Sequence, residues 1–190
     1  RIALLEQFAK QFSIKADIPT EFDGIPTVMN LSAWFFLYKE NRGEHDIDNL
    51  WNLLEKAISY SDETSIANKN AFIAAYNTVI KQKMIKWNIT MGLYWIRPYT
   101  FINLDSTNRL FITDSNNMPH YFTTIFSNLN KGLPDGASYL FMCEQARNAL
   151  KNEEYPYHSF PELSYYAWKS TNEEKNNDVP TTSVDSNVKE

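Results

Sequence analysis

The stretch Asp46-Ile47-Asp48-Asn49-Leu50-Trp51-Asn52-Leu53-Leu54-Glu55-Lys56-Ala57-Ile58-Ser59-Tyr60 decides the fold class. Ile47, Leu50, Trp51, Leu54, Ala57 and Ile58 recur at helical spacing, so they form one apolar stripe on an α-helix. Asp46 is placed to cap it, and acids at 44, 46 and 48 suit the positive end of a helix dipole. Working outward, Ser61-Asp62-Glu63-Thr64 punctuates. A second helix then follows from about Ser65 to Lys83, with Phe72, Ile73, Tyr76, Val79 and Ile80 on one side. Upstream, apolar residues at 2, 4, 5, 8, 9 and 12 predict a helix over Ile2–Phe12. A loop rich in Pro and Gly follows, then a helix over Ala33–Glu40 capped by Asn30 or Ser32 and broken at Asn41-Arg42-Gly43. Downstream, Asn116-Asn117-Met118-Pro119 reads as a turn and His120–Leu129 as a short helix closed by Gly132 and Pro134. Asp135–Leu150 reads as a longer one. Ser159 caps a helix that carries Pro161 in its first turn and runs to about Trp168 or Ser170.

This pattern predicts an all-α fold, a mainly helical single domain with at least six helices. A small irregular or β element near residues 87–112 is its one possible departure. Its parts are an N-terminal helix and loop (1–26), a helical domain (27–170) and a flexible linker (171–190), where the chain turns to Asn, Glu, Thr and Ser without periodicity. The 190 residues suffice for one core. Only 5 glycines argue against a turn-rich β-sandwich, and 15% aromatics argue against disorder in the body of the chain. The longest apolar run, Ala33–Tyr38, is far short of the roughly 18 residues of a membrane span. The sequence opens at Arg1 without Met or signal-like features, as at a fragment boundary. Cys143 is the only cysteine, which excludes an internal disulfide, fits a reduced cytoplasmic setting and reads as a small buried hydrophobe.

The net charge of −5 is unevenly spread. Residues 81–109 hold Lys81, Lys83, Lys86, Arg97 and Arg109 against Asp105 alone, whereas residues 151–190 hold four lysines against eight acids. A basic segment in an acidic chain suits either a phosphate-facing surface or a solvated helix face. Within it, Thr90–Ile96 fits helix or strand, and Pro98 ends the element at Arg97. Leu104-Asp105-Ser106 then starts a helix capped by Asp105 or Ser106. Arg109 lies four residues after Asp105, within reach of an ion pair.

Two runs in this segment carry a resemblance. Trp87-Asn88-Ile89-Thr90-Met91-Gly92-Leu93-Tyr94-Trp95-Ile96 leads into Pro98-Tyr99-Thr100-Phe101-Ile102-Asn103-Leu104-Asp105-Ser106-Thr107-Asn108-Arg109. Together with Leu31-Ser32-Ala33-Trp34-Phe35-Phe36 and Ser159-Phe160-Pro161-Glu162-Leu163-Ser164-Tyr165-Tyr166-Ala167-Trp168, they resemble the sequence upstream of the motor domain in McrB-like subunits of modification-dependent restriction systems. The resemblance covers roughly residues 28–170. It departs at Leu110, where that family often has an aromatic. It implies a part of a larger machine. Such subunits hydrolyse nucleotide, GTP or ATP with Mg, through an AAA+ motor and drive a separate nuclease subunit, and their upstream domains commonly select modified DNA such as 5-methylcytosine. The implied partners are therefore DNA, the AAA+ domain of the same polypeptide and the nuclease subunit, with no membrane. The Pro-x-x-Phe-x-x-x-Asp-x-x-x-Arg spacing is also similar to a segment of helix-hairpin-helix DNA glycosylases, whose catalytic Lys and Asp have no counterpart here.

The chain contains no complete catalytic motif. It lacks the G-x-x-x-x-G-K-[ST] loop that cradles phosphates, so no nucleotide cofactor is expected in this segment. His45, His120 and His158 are scattered, which disfavours a metal site, and neither a nucleophile elbow nor an Asp…Glu-x-Lys nuclease core is present. Trp34, Phe35, Phe36, Tyr94, Trp95, Tyr99 and Phe101 suit either a core or stacking on an extruded base. For contact with DNA the first candidates are Lys81, Lys83 and Lys86 on phosphates, and Arg97, Tyr99, Asn108 and Arg109 on phosphate or base. Three roles remain, a reader of modified DNA, a spacer that positions the reader or the nuclease subunit on the motor, and a stand-alone enzyme, which the missing motifs disfavour most.

Overall fold

Helix α2 (Asp46–Asp62) and helix α3 (Ile66–Val79) form a hairpin whose corner is built from side chains. Ser65 caps α3 by accepting the Asn68 amide at 3.1 Å, and the Asn68 side chain donates to the carbonyls of Ser59 (3.2 Å) and Glu63 (2.8 Å). One Asn therefore serves the orphan groups of two helix ends. The computed structural model describes residues 2–22, 34–152 and 155–177, those from 172 onward by backbone alone. Its other helices are α1 (Ile2–Gln11), α4 (Asn88–Ile96), α5 (Ser106–Thr113), α6 (His120–Ile125), α7 (Gly136–Ala149) and α8 (Phe160–Asn177), with a 3-10 turn at Leu129–Lys131. Among the described residues there is no strand, so the segment 87–112 holds two helices and an irregular link. No helix among them is long and apolar enough to cross a membrane.

Helix α3 lies between α2 and α7, α4 packs on α2, and α5 packs on α6 and α8. The centre is a pile of aromatic rings. Phe72 stacks on Phe101 with centroids 5.2 Å apart and on Tyr76 at 5.7 Å, and Tyr76 stacks on Tyr139 at 5.3 Å. Phe101 also meets Tyr60 and Tyr139, so one ring from the α4–α5 link touches rings of α2, α3 and α7. Each offset pair adds about 0.5–1.5 kcal/mol beyond the area it buries. Gly136 lets α7 approach α3. A Cβ there would lie 3.0 Å from the Ile73 Cα, and the Gly136 amide donates to Asn77 Oδ1 at 2.8 Å.

At one edge of this pile Tyr60 Oη and Lys69 Nζ both donate to Glu144 Oε1 at 2.8 Å. Burial works to raise the Glu144 carboxyl, but the bonds from Lys69 and Tyr60 outweigh it and hold it below its ordinary value. A carboxyl lowered in the folded state contributes stability that is full above the unfolded value and fades as pH falls through the folded one. The chain is therefore expected to lose stability on acidification below the ordinary carboxyl value of 4.5. Urea titrations across that range should show a shallower loss for Glu144→Gln than for the native chain, and parallel losses would count against the network.

Several expectations are corrected. The buried face of α2 is Leu53, Ala57 and Tyr60, rotated from the expected stripe, and Trp51 is 62% exposed. The helix is apolar on two adjacent faces, and the rings of α3 select the one that holds Tyr60. Asp46 sits in the first turn of α2 with His45 at the N-cap, and its carboxylate accepts the Gly43 amide at 2.9 Å. Residues 34–40 bend and turn instead of forming a helix. There the Trp34 carbonyl is taken by Asn88 Nδ2 at 3.0 Å, and the Tyr38 carbonyl by the amides of Asn41 and Arg42. Asn30 and Ser32 lie outside the described residues. Helix α3 stops at Val79, so Lys81 and Lys83 fall in turns beyond its end. Helix α8 continues to Asn177, past the linker boundary expected at 171.

Candidate functional site

The link from α4 to α5 and the first turn of α5 hold Arg97, Tyr99, Asn108 and Arg109 of the residues singled out for chemistry. Arg97 leaves the helical region ahead of Pro98, with φ −146° and ψ 78°, and its carbonyl accepts the amides of Thr100 and Phe101. Beyond the buried Phe101 and Ile102, Asn103 and Asp105 clasp each other. Asn103 Nδ2 donates to Asp105 Oδ2 at 2.8 Å, and the Asp105 amide donates to Asn103 Oδ1 at 3.0 Å. Asp105 is the N-cap of α5, and its Oδ1 accepts both the backbone amide (2.8 Å) and the side-chain Nδ2 (3.0 Å) of Asn108. Asn108 Nδ2 also donates to Ser164 Oγ of α8 at 3.2 Å, and Ser164 bonds the Tyr94 hydroxyl of α4. The Leu104 amide donates to Thr90 Oγ1 at 3.0 Å and the Leu104 carbonyl accepts Arg109 Nη1 at 2.6 Å. The Arg109 guanidinium lies 4.0 Å from the Trp87 ring centroid, at cation–π distance.

These bonds make a knot of short polar side chains that ties α4, α5 and α8 together. The expected Asp105–Arg109 ion pair is not formed, because Asn103 and Asn108 occupy the carboxylate and Arg109 is held by Trp87 and the Leu104 carbonyl. Burial lowers the Arg109 guanidinium from its ordinary value, and the nearby Asp105 charge opposes that shift. Asn108 is 3% exposed and cannot meet a base edge without unfolding the cap. Arg97 is half-buried and paired with Asp62 at 3.1 Å. Lys81, Lys83 and Lys86 stand exposed in the turns between α3 and α4, and Tyr99 is 70% exposed. The candidate set thus divides into an outer group, Lys81, Lys83, Lys86 and Tyr99, and an inner group built into the fold.

The aromatics divide the same way. Phe101 and Tyr94 belong to the core, while Phe36 and Trp95 are exposed. Cys143 is buried in α7, and burial pushes its thiol up to about 12. Among the described residues no group of three or more His, Cys, Asp or Glu side chains is placed to hold a metal ion.

Two hollows bear on the candidate residues and on the apolar face of α2. One, of about 610 Å³ between α5 and α6, is bordered by Ser106, Arg109, Thr113, His120, Ser127 and Asn130, with no carboxylate among its lining residues. The other, of about 470 Å³, is a groove between α2 and α4 walled by Phe35, Phe36, Ile47, Leu50, Trp51 and Ile96, with no charged residue in its lining. Phe35 lies so close over α4 that a Cβ at Gly92 would come within 3.2 Å of its ring. Sequence reading missed the groove as a surface, although its signal is present. Ile47, Leu50, Trp51 and Leu54 of the expected stripe all line it.

The architecture is that of a helical domain whose polar residues are spent chiefly on caps and helix corners. The chain belongs to the family of a domain of unknown function, DUF8425, whose model matches residues 1–170. No curated protein and no solved structure matches the chain.

Proposed function

We propose that this domain is the non-catalytic module upstream of the AAA+ motor in a McrB-like restriction NTPase subunit, and that it acts there as a spacer and protein-interaction domain. One observation carries this choice over a DNA reader. Asn108 is buried in the Asp105 knot, and Arg109 is held by the Leu104 carbonyl and the Trp87 ring. Direct readout requires side chains free to reach base edges. The apolar groove beside α2 supports the interaction role, since exposed aromatics in an uncharged groove suit another protein surface better than a polyanion. In this reading the nucleotide, GTP or ATP with Mg, belongs to the motor of the parent polypeptide, and the setting is the cytoplasm. The partners are the motor domain and the nuclease subunit.

A second reading, recognition of modified DNA, is favoured by the exposed Lys81, Lys83, Lys86 and Tyr99 and by the carboxylate-free hollow beside Arg109. Titrating methylated and unmethylated duplexes at two salt concentrations separates the two. The spacer reading expects at most a weak affinity that is equal for both duplexes and disappears with salt. In that case Lys83→Ala would lower the log–log salt slope by about 0.9. A preference for the methylated duplex that survives at the higher salt would establish the reader instead.

A further inference from the structure

We infer that two copies of this chain associate by exchange, the apolar face of α1 from each copy lying in the α2–α4 groove of the other. Helix α1 is amphipathic, with Leu4, Leu5, Phe8 and Phe12 on one side and Glu6, Gln7 and Lys10 on the other. The helical bonding carries on past its end, since the Phe12 amide donates to the Phe8 carbonyl at 2.9 Å and places the two rings in a stack. No residue of α1 is buried, and Leu4, Phe8 and Phe12 are 55%, 45% and 63% exposed. An apolar helix face left open in water is an incomplete contact, because most helical stability comes from packing such a face.

The groove is the complementary half. Its lining carries no charge and Trp51 and Phe36 stand exposed on it, so an apolar helix with anchors at successive turns suits it and a phosphate-bearing ligand does not. A foreign helix would cover the groove and leave α1 open, whereas reciprocal exchange covers both. Exchange also closes as a two-fold pair, the commonest oligomer symmetry. The area points the same way. Phe8, Phe12, Phe36 and Trp51 bury at most roughly 150–250 Å² each, and allowing for the part already covered leaves about 500 Å² per contact. One such contact falls well below the roughly 1,200 Å² of a specific interface, and two with their aliphatic neighbours approach it.

The inference stands on these two surfaces and does not depend on the restriction-system reading. Sedimentation equilibrium of the full 190-residue chain at roughly 100 µM tests it, a concentration that populates micromolar association. The native chain is expected at twice its monomer mass. Phe8→Glu and Trp51→Glu are expected to be monomeric, with melting temperatures close to native because both side chains are already exposed. An equimolar mixture of the two variants retains one intact helix and one intact groove, a single contact too small to hold a pair, so the mixture should stay monomeric as well. A monomeric native chain overturns the inference, including one whose α1 amides are protected from exchange by docking within the same chain. So does a dimer that survives either substitution, or a mixture that dimerises as fully as the native chain.

Discussion

Phe101→Ala is expected to be the most damaging single substitution in the chain, costing about 3–5 kcal/mol of folding stability. Phe101 is fully buried and its ring contacts Tyr60, Phe72 and Tyr139 from three different helices. Truncation removes the ring's transfer energy and leaves a cavity that three rigid aromatic neighbours cannot easily fill, which is the circumstance that puts a site at the upper end of the range. It also loosens the α4–α5 link where Tyr139 Oη donates to the Ile102 carbonyl at 2.8 Å. For a chain of this size each kcal/mol is worth roughly 2–4 °C, so the melting temperature should fall by roughly 6–20 °C. Leu110→Ala is the matched control. Leu110 is 73% exposed, and its loss should stay within about 0.5 kcal/mol.

Asn108→Ala is expected to cost about 2–4 kcal/mol, a large loss for a polar side chain so close to an exposed turn. Its Nδ2 is shared between Asp105 Oδ1 and Ser164 Oγ, and removing it strips a donor from two buried or half-buried acceptors. The bond to the charged carboxylate is worth about 1.5–3 kcal/mol and the bond to the hydroxyl about 0.5–1.5 kcal/mol. The damage also spreads, because Asp105 caps α5 and clasps Asn103, and Ser164 supports Tyr94. Retaining the backbone amide in the alanine variant keeps the cap bond from Asn108 N to Asp105 Oδ1, which holds the loss below that of removing the cap entirely.

The all-α fold was legible because its helices carry long apolar periods and ordinary punctuation. Asp105 and Ser65 were readable as helix-start residues, since a short polar side chain ahead of an apolar run has few other places to act. Asp135 and Ser159 mark helix starts in the same way, and Ser159 and Glu162 bond each other across the first turn of α8. The exposed lysines of the α3–α4 turns were legible from composition alone. The inward role of Asn108 and Arg109 was not. It depends on Ser164, 56 residues later, and on Trp87, 22 residues earlier, and local spacing carries no trace of either. The groove was hidden for a related reason. The apolar residues of α2 cover two faces, and which one meets the core is settled by the rings of α3. Residues 34–40 were misread because an apolar run of that length fits a helix until a distant Asn88 captures the Trp34 carbonyl.

The central claim is that the Asn103–Asp105–Asn108 turn, with Arg109 beside it, holds the fold together and does not read a ligand. The thermal melting temperature of Asn108→Ala against the native chain tests it most directly. A drop of roughly 4–16 °C is predicted from the bonds that Asn108 makes. An unchanged melting temperature, accompanied by a loss of duplex binding that the native chain possesses, would contradict the claim and make Asn108 a contact residue.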